Sequence, residues 1–147
     1  MSRYLVGLLA LTLSCRGPGH DGLSGAWSLC LSNTQSESHC GRMEVGRAAA
    51  TSFDYRSYYP FSFELDLAPV VGESQAPLPR CGSLLVGQDS LMTMMIGIEC
   101  GVVLAFDGGN LIAEHLRFAG DSISGEWAQS CFAGCSARGT LVAKRGV

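Results

Sequence analysis

The chain has 147 residues, of which 47% are hydrophobic and 16% are charged, and its formal net charge is −3. This balance argues against intrinsic disorder, and the ten basic residues are spread along the chain without the cluster that nucleic-acid binding requires. The scattered basic residues predict no nucleic-acid partner, and the length predicts one ordinary domain.

The N-terminal residues have the pattern of a secretory signal peptide. Arg3 supplies a positive charge, residues 5–13 are apolar apart from one threonine, and a small serine precedes a polar stretch. About ten apolar residues are too few to span a bilayer as a helix, which takes about twenty. We therefore expect an exported protein with a signal peptide over 1–14, a tether over 15–22 and a single barrel-like domain over 23–147.

The end of this leader, Leu11–Cys15 (LTLSC), resembles the lipobox of bacterial lipoproteins. In that family the cysteine after a small residue is acylated and becomes the mature N-terminus, so the resemblance implies a lipid on Cys15 and attachment to a membrane. Because Arg16 and no acidic residue follows the cysteine, the resemblance favours the outer membrane, with the domain facing the periplasm or the surface. The alternative is an ordinary signal peptide, cut near Ser14 or in the Gly-rich stretch that follows, which gives a periplasmic or secreted protein in which Cys15 has no special role.

Disulfide bonds are the expected state of the remaining cysteines in an oxidising compartment. The chain has seven cysteines, an odd number, and acylation of Cys15 leaves an even number that can all pair. Cys30 and Cys40 are out of phase with the apolar residues of their predicted strands, so both face away from the core and can bridge neighbouring strands. Other connectivities stay open, and sequential pairing predicts the bonds Cys30–Cys40, Cys81–Cys100 and Cys131–Cys135.

A metal site is the competing interpretation of these cysteines. Cys131 and Cys135 have a spacing that zinc sites use, but such a site needs two further ligands at similar spacing. The histidines His20, His39 and His115 are scattered along the chain. We therefore expect no metal and no cofactor.

Alternation of apolar and polar residues predicts a chain made of short strands. The clearest examples are residues 25–31, where Trp27, Leu29 and Leu31 share a face, and residues 61–67. Further strands are predicted over 40–46, 84–86, 91–98, 102–106, 111–118, 123–129 and 139–144, with turns over 107–110 and 119–122.

The even spacing of these strands and their glycine-rich turns predict an all-β fold, a small antiparallel up-and-down barrel or barrel-like sandwich of about eight strands. A closed barrel has the further merit of leaving no exposed sheet edge. Between the strands, residues 47–52 are expected to form a short helical turn, and residues 54–60 and 68–79 are expected to be loops.

A second resemblance lies on the first strand. Gly25-Ala26-Trp27 resembles the G-x-W motif of lipocalins and related calycins. In that family the tryptophan plugs one end of an eight-stranded barrel and packs under a basic residue from near the last strand. The resemblance therefore implies that Trp27 is the plug and that Arg138, Lys144 or Arg145 covers it.

The pattern S-G-x-W occurs twice, at Ser24–Trp27 and at Ser124–Trp127. Glycine before tryptophan relieves crowding on a curved strand, so we interpret both tryptophans as core residues. Small barrels are filled by their own side chains or hold one small apolar ligand, and methionines suit irregular cavities. The residues expected to line the barrel are Trp27, Met43, Phe61, Phe63, Met94, Phe106 and Trp127.

These features predict a non-enzymatic exported protein that binds a small apolar ligand or serves as a structural or interaction module. The alternative is a secreted inhibitor or accessory protein that binds a protein partner through the loop over 54–60. In that loop, Tyr55, Tyr58 and Tyr59 provide the kind of aromatic anchors that are typical of interfaces.

No catalytic residue is predicted. The sequence lacks the G-x-S-x-G motif of serine hydrolases. Glu114 and His115 are adjacent on a predicted strand, which places their side chains on opposite faces. Glu64 and Asp66 share a face, but that face is the polar one, and we interpret it as solvated strand surface.

Overall fold

The computed structural model describes residues 22–50, 55–71, 80–89, 91–97, 110–130 and 137–146. Within them lie nine β-strands and one short α-helix. In chain order these are β1 (Gly25–Asn33), β2 (Ser38–Val45), β3 (Ala49–Ala50), β4 (Tyr55–Glu64), α1 (Ala68–Val71), β5 (Cys81–Gly87), β6 (Met92–Gly97), β7 (Asn110–Ala119), β8 (Ser122–Ser130) and β9 (Arg138–Arg145). The strand predicted over 102–106 lies outside the described residues.

Eight of these strands form a closed antiparallel barrel. From β4 to β9 each strand pairs with the next along the chain, and β9 pairs with β1, which pairs with β2. The pairing of β2 with β4 closes the ring, and the short strand β3 is added to β4 outside it. The structure thus confirms the all-β up-and-down barrel, in its closed form and not as a sandwich.

The two ends of the barrel carry different connections. The plug end holds the start of β1, the end of β9 and the turn between β7 and β8 at Gly120–Asp121. The hairpin end holds the β1–β2 hairpin over 34–37 and the connection from β4 to β5, which includes α1. Helix α1 packs against β1 and β2, and Val70 within it and Leu67 just before it are buried at this end.

The core occupies the interior of the barrel, because alternate side chains of every strand point inward. Leu29, Leu31 and Leu84 are fully buried there, with relative exposures of 0%. Strand β5 is buried on both faces, since the outward-pointing Leu85 and Ser83 are 0% and 2% exposed. The hydroxyl of Ser83 has no hydrogen-bond partner among the described residues.

The prediction of a loop over 54–60 is wrong for residues 55–60, because these residues form the first part of β4. In this part of the strand, Tyr58 pairs with Leu85 of β5, and the pairing continues to the end of the aromatic run. Aromatic side chains favour extended strands when a neighbouring strand offers a packing surface. Alternation within the segment is too weak to reveal that surface, so only the pairing shows it.

Two other connections also differ from their predictions. The helical turn expected over 47–52 is not present at Ala49–Ala50, which form β3 and pair with Ser57 and Tyr58. The connection expected over 68–79 begins with α1. Both differences arise where short segments pack against the barrel, an effect that local propensity does not register.

Candidate functional site

The plug end of the barrel is closed by Trp27. Its side chain is 1% exposed, and its Nε1 donates a hydrogen bond to the carbonyl oxygen of Leu23 at 2.8 Å. The ring lies 6.4 Å from that of Phe118 on β7. The guanidinium of Arg145 covers the indole, with its central carbon 4.4 Å from the ring centroid, which is a cation–π contact.

Arg145 connects three parts of the plug end. Besides covering Trp27, it donates a hydrogen bond from Nη1 to the carbonyl oxygen of Ser24 at 3.0 Å. Its Nε lies 3.4 Å from the carboxylate of Asp121 in the β7–β8 turn. The hydroxyl of Ser24 in turn donates to the carbonyl of Gly46 at 2.7 Å. The segment that enters the barrel is therefore held on several strands at once.

Of the three basic residues that the lipocalin resemblance offered, Arg145 is the one that meets Trp27. Lys144 is exposed, as expected for the neighbouring position on a strand whose side chains alternate. Arg138 lies at the start of β9 and hence at the hairpin end. The three basic residues differ in their positions along β9. Which of these positions lies beside Trp27 becomes known only from the register of β9 against β1.

The second tryptophan, Trp127, lies near the opposite end. It is 2% exposed, and its Nε1 donates to the carbonyl oxygen of Ser32 at 3.2 Å. Its partner across β8 and β9 is Gly139, where a Cβ would overlap the carbonyl oxygen of Ser32. Both tryptophans are core residues, as predicted, and the two S-G-x-W segments serve opposite ends of the barrel.

Glycine is required in the two S-G-x-W segments for different reasons. Gly25 has a φ of 118°, a backbone conformation that residues with a Cβ rarely adopt. Gly125 lies where a Cβ would press on the side chain of Leu116. Relief of crowding, which was expected for both, therefore applies to Gly125, whereas backbone conformation explains Gly25.

The residues predicted to line the barrel are buried wherever the structure describes them. Phe61 and Phe63 are 4% and 7% exposed, and their rings lie 6.1 Å apart. Phe106 lies outside the described residues. The buried members of the predicted set are Trp27, Met43, Phe61, Phe63, Met94 and Trp127.

The three tyrosines do not form one exposed cluster. Tyr59 belongs to the buried core and is 3% exposed. Tyr55 and Tyr58 are half-buried. Because all three lie on strand β4, alternation separates Tyr59 from Tyr58, and Tyr59 is not accessible to a protein partner.

The predicted disulfide bond between Cys30 and Cys40 is confirmed. Cys30 and Cys40 are directly paired across β1 and β2 and form a disulfide bond. Cys81 is also disulfide-bonded. The predicted partner of Cys81 and the whole of the predicted pair Cys131–Cys135 lie outside the described residues.

Strand β7 contains a β-bulge that the sequence does not reveal. The register against β6 shifts at Glu114 and His115, so that two residues of β7 lie opposite one residue of β6. His115 has a φ of 53°, a left-handed conformation that costs a non-glycine residue about 1–2 kcal/mol. Both side chains are exposed, so the regular alternation assumed for this strand does not hold here.

A groove of about 750 Å³ lies beside this bulge. Glu114 and Glu126 are directly paired across β7 and β8, and like charges in this position destabilise a sheet. Strain at His115 and repulsion between two carboxylates are features that the barrel does not need for its stability. Polar and charged residues of the lining include Asn33, Glu114, His115, Glu126, Arg138 and Thr140.

Searches against protein families, curated proteins and solved structures found no match to this chain. In the part of the chain that the structure describes, no helix is long and apolar enough to cross a membrane. The same residues contain no group of three or more histidines, cysteines, aspartates or glutamates placed to hold a metal ion.

Proposed function

We propose that this chain is an exported, lipid-anchored β-barrel that serves as an interaction module at a membrane, and that it is not an enzyme. The leader that ends at Cys15 supports export and anchoring. The bond between Cys30 and Cys40 agrees with export, since disulfides persist in oxidising compartments. The observation that carries the proposal is the contrast between a filled interior and an open groove on the outside.

The burial of the interior argues against a small apolar ligand inside the barrel. Ligand pockets measure about 300 Å³ or more, and the side chains around such a pocket keep accessible surface. Met43 and Met94 on the inner face are 0% exposed, so they border no such space inside the barrel. The methionines therefore fill the core by adapting to its shape, which is their usual role.

The groove beside the β7 bulge is the surface on which we expect a partner to bind. The strand register places Ile112 next to Ala128 in one row, and Glu114 next to Glu126 in the adjacent row. An apolar centre with a charged surround is the usual composition of a protein interface. The two carboxylates favour a protein segment that presents apolar and basic side chains together.

Site-specific photocrosslinking in cells tests this surface. A photoreactive amino acid replaces Ala128, which is exposed within the groove, and the matched control carries it at Ser62, which is exposed on β4. We expect a crosslinked protein from position 128 and none from position 62, and we expect Glu114→Gln with Glu126→Gln to weaken the crosslink. Equal crosslinking at both positions, or none at either, would contradict the proposal.

The intact mass of the protein from its native membrane fraction tests export and anchoring. We expect a chain that starts at Cys15, is heavier by its acyl chains, and gains the mass of hydrogens on reduction of its disulfides. An unacylated chain would contradict the anchor. A small apolar molecule released in stoichiometric amount by organic solvent would contradict the filled interior.

Strand β4 offers the alternative partner surface through Tyr55 and Tyr58. The variant Tyr58→Ala separates the two surfaces, because Tyr58 does not line the groove, whereas Tyr55 shares a neighbouring pocket with Glu114 and His115. We expect the crosslink at position 128 to survive in this variant. Loss of this crosslink would show that the partner binds at β4 and not in the groove.

A further inference from the structure

We propose that the plug end of the barrel faces an anionic phospholipid surface, so that the hairpin end points away from the membrane. The inference extends the lipid anchor of the proposed function and rests on it. Two independent observations carry it, the position at which the chain enters the barrel and the distribution of charge between its ends.

The chain enters the barrel at the plug end and is held there firmly. Leu23 is 0% exposed, and its carbonyl accepts the hydrogen bond from Trp27. Seven residue steps separate Cys15 from Gly22, the first described residue, and a fully extended chain spans at most about 3.6 Å per residue. A lipid on Cys15 therefore keeps the plug end within about 25 Å of the bilayer surface.

Charge is distributed unequally along the barrel. Near the plug end the described basic residues are Arg42, Arg47, Arg56, Arg117, Lys144 and Arg145. The described acidic residues there are Glu44, which is ion-paired with Arg42, Asp89 and Asp121. Six basic against three acidic groups leave an excess of three positive charges among the described residues of this end. The described residues as a whole carry eight basic and eight acidic groups, so the other described residues have an excess of three negative charges.

Two of the plug-end cations are free to interact with lipid. Arg117 on β7 and Lys144 on β9 are both exposed, and neither forms an ion pair with a described residue. Small residues of β8 separate them, since Arg117 pairs with Ser124 and Lys144 pairs with Ser122. The outer surface between them therefore has no bulky side chain that would hold a bilayer away.

An anionic surface attracts this end over a short distance. Its potential decays over a Debye length, which is about 8–10 Å at physiological salt, so the effect requires the close tether described above. A basic residue near such a surface contributes a factor of about five in affinity. The same surface repels the acidic residues of the hairpin end whenever that end turns toward it. Attraction of one end and repulsion of the other give the anchored barrel a preferred orientation.

Hydrogen exchange of the lipidated full-length protein on vesicles tests the orientation. The vesicles contain phosphatidylcholine alone or with phosphatidylglycerol as the anionic lipid. We expect the β7–β8 turn at Gly120–Asp121 to exchange more slowly on the anionic vesicles, and the hairpin over 34–37 to exchange at the same rate on both. Slower exchange of the hairpin, or no difference at either end, would overturn the proposal.

Charge variants identify the residues responsible. We expect Arg117→Gln/Lys144→Gln to abolish the difference between the two vesicle types. The matched control, Arg80→Gln/Arg138→Gln, removes the same net charge at the hairpin end, where β5 and β9 begin, and should keep the difference. Equal effects of the two double variants would show a response to total charge and would overturn the assignment to the plug end.

The same vesicles separate failure of the anchor from failure of the orientation. If the intact mass shows an unacylated Cys15, the protein is sedimented with the vesicles in its unmodified form. We then expect binding that requires phosphatidylglycerol and falls about 25-fold in Arg117→Gln/Lys144→Gln, a factor of about five for each charge. Binding that does not depend on these two residues would refute the basic surface itself.

Discussion

Replacement of Arg145 by alanine removes three interactions from the plug end at once. The first is the cation–π contact with Trp27 at 4.4 Å, which contributes about 1 kcal/mol in a partly buried setting. The second is the charged hydrogen bond to the carbonyl of Ser24 at 3.0 Å, worth about 1.5 kcal/mol. The third is the ion pair with Asp121, whose side chain is 83% exposed, so it adds at most about 0.5 kcal/mol.

Together these interactions predict that Arg145→Ala lowers the free energy of unfolding by about 3 kcal/mol. For a domain of this size, such a loss lowers Tm by about 10 °C. Urea unfolding followed by tryptophan fluorescence, with the disulfides intact, measures the change. The matched control is Lys144→Ala, which removes an exposed cation from the next position on β9 and should cost less than about 0.5 kcal/mol.

Two further variants separate the contributions. Arg145→Lys keeps the charge but loses the planar group that covers the ring, so it should recover less than half of the lost stability. Asp121→Asn should cost no more than about 0.5 kcal/mol, because an exposed ion pair contributes little. An Arg145→Ala variant as stable as the parent protein, or an Asp121→Asn variant as destabilised as Arg145→Ala, would refute this assignment of the stabilising contacts.

Three other substitutions have expected outcomes that the same unfolding assay can check. Gly139→Ala should destabilise the protein by more than about 3 kcal/mol, because a Cβ there would overlap backbone atoms that cannot move away. Gly120→Ala should cost only about 1 kcal/mol, because a Cβ there meets open space and only the φ of 61° is unfavourable. Equal costs of the two substitutions would contradict the overlap at Gly139. His115→Val should cost about 2 kcal/mol, because a β-branched residue is more strained than histidine at a φ of 53°. His115→Gly should change stability by less than about 0.5 kcal/mol, because relief of the strain offsets the greater freedom of glycine in the unfolded chain. A larger cost from glycine than from valine would show that the bulge is relaxed. Ser83→Ala should stabilise by about 1 kcal/mol, since the buried hydroxyl has no described partner, and a loss of stability would reveal one.

The position of the cysteine bridge shows how far a local pattern extends. Side chains alternate along a strand, so the phase of Cys30 and Cys40 against the apolar residues was enough to place both on the outer face. Their direct pairing then required only the short hairpin between β1 and β2, which sets the register over a few residues. A prediction of this kind succeeds because both of its elements are local.

The choice of Arg145 among three basic residues was beyond the sequence. The hydrogen bond from Arg145 to Ser24 joins residues 121 positions apart, and it depends on the register of the last strand against the first. Closure of the barrel through β2 and β4 has the same origin. Long-range pairing is decided by the packing of the whole core, and no local pattern encodes it.

The candidate groove depends on tertiary structure even more strongly. A glycine at position 115 would have signalled a bulge, but the chain has a histidine there, and a regular strand was the natural prediction. The cross-strand pair of Glu114 and Glu126 becomes visible only with the register of β7 against β8. Neither the strain nor the repulsion leaves a trace in the composition of either segment.

The sequence by itself determined the all-β class, most of the strands, the burial of both tryptophans and the outward position of the first disulfide. These features follow from side-chain alternation and glycine placement, which act over a few residues. Only the tertiary structure decided the closed ring, the cover over Trp27, the burial of Tyr59 and the bulge at His115. Each of these depends on which strands meet and in what register, and that choice minimises the free energy of the whole barrel.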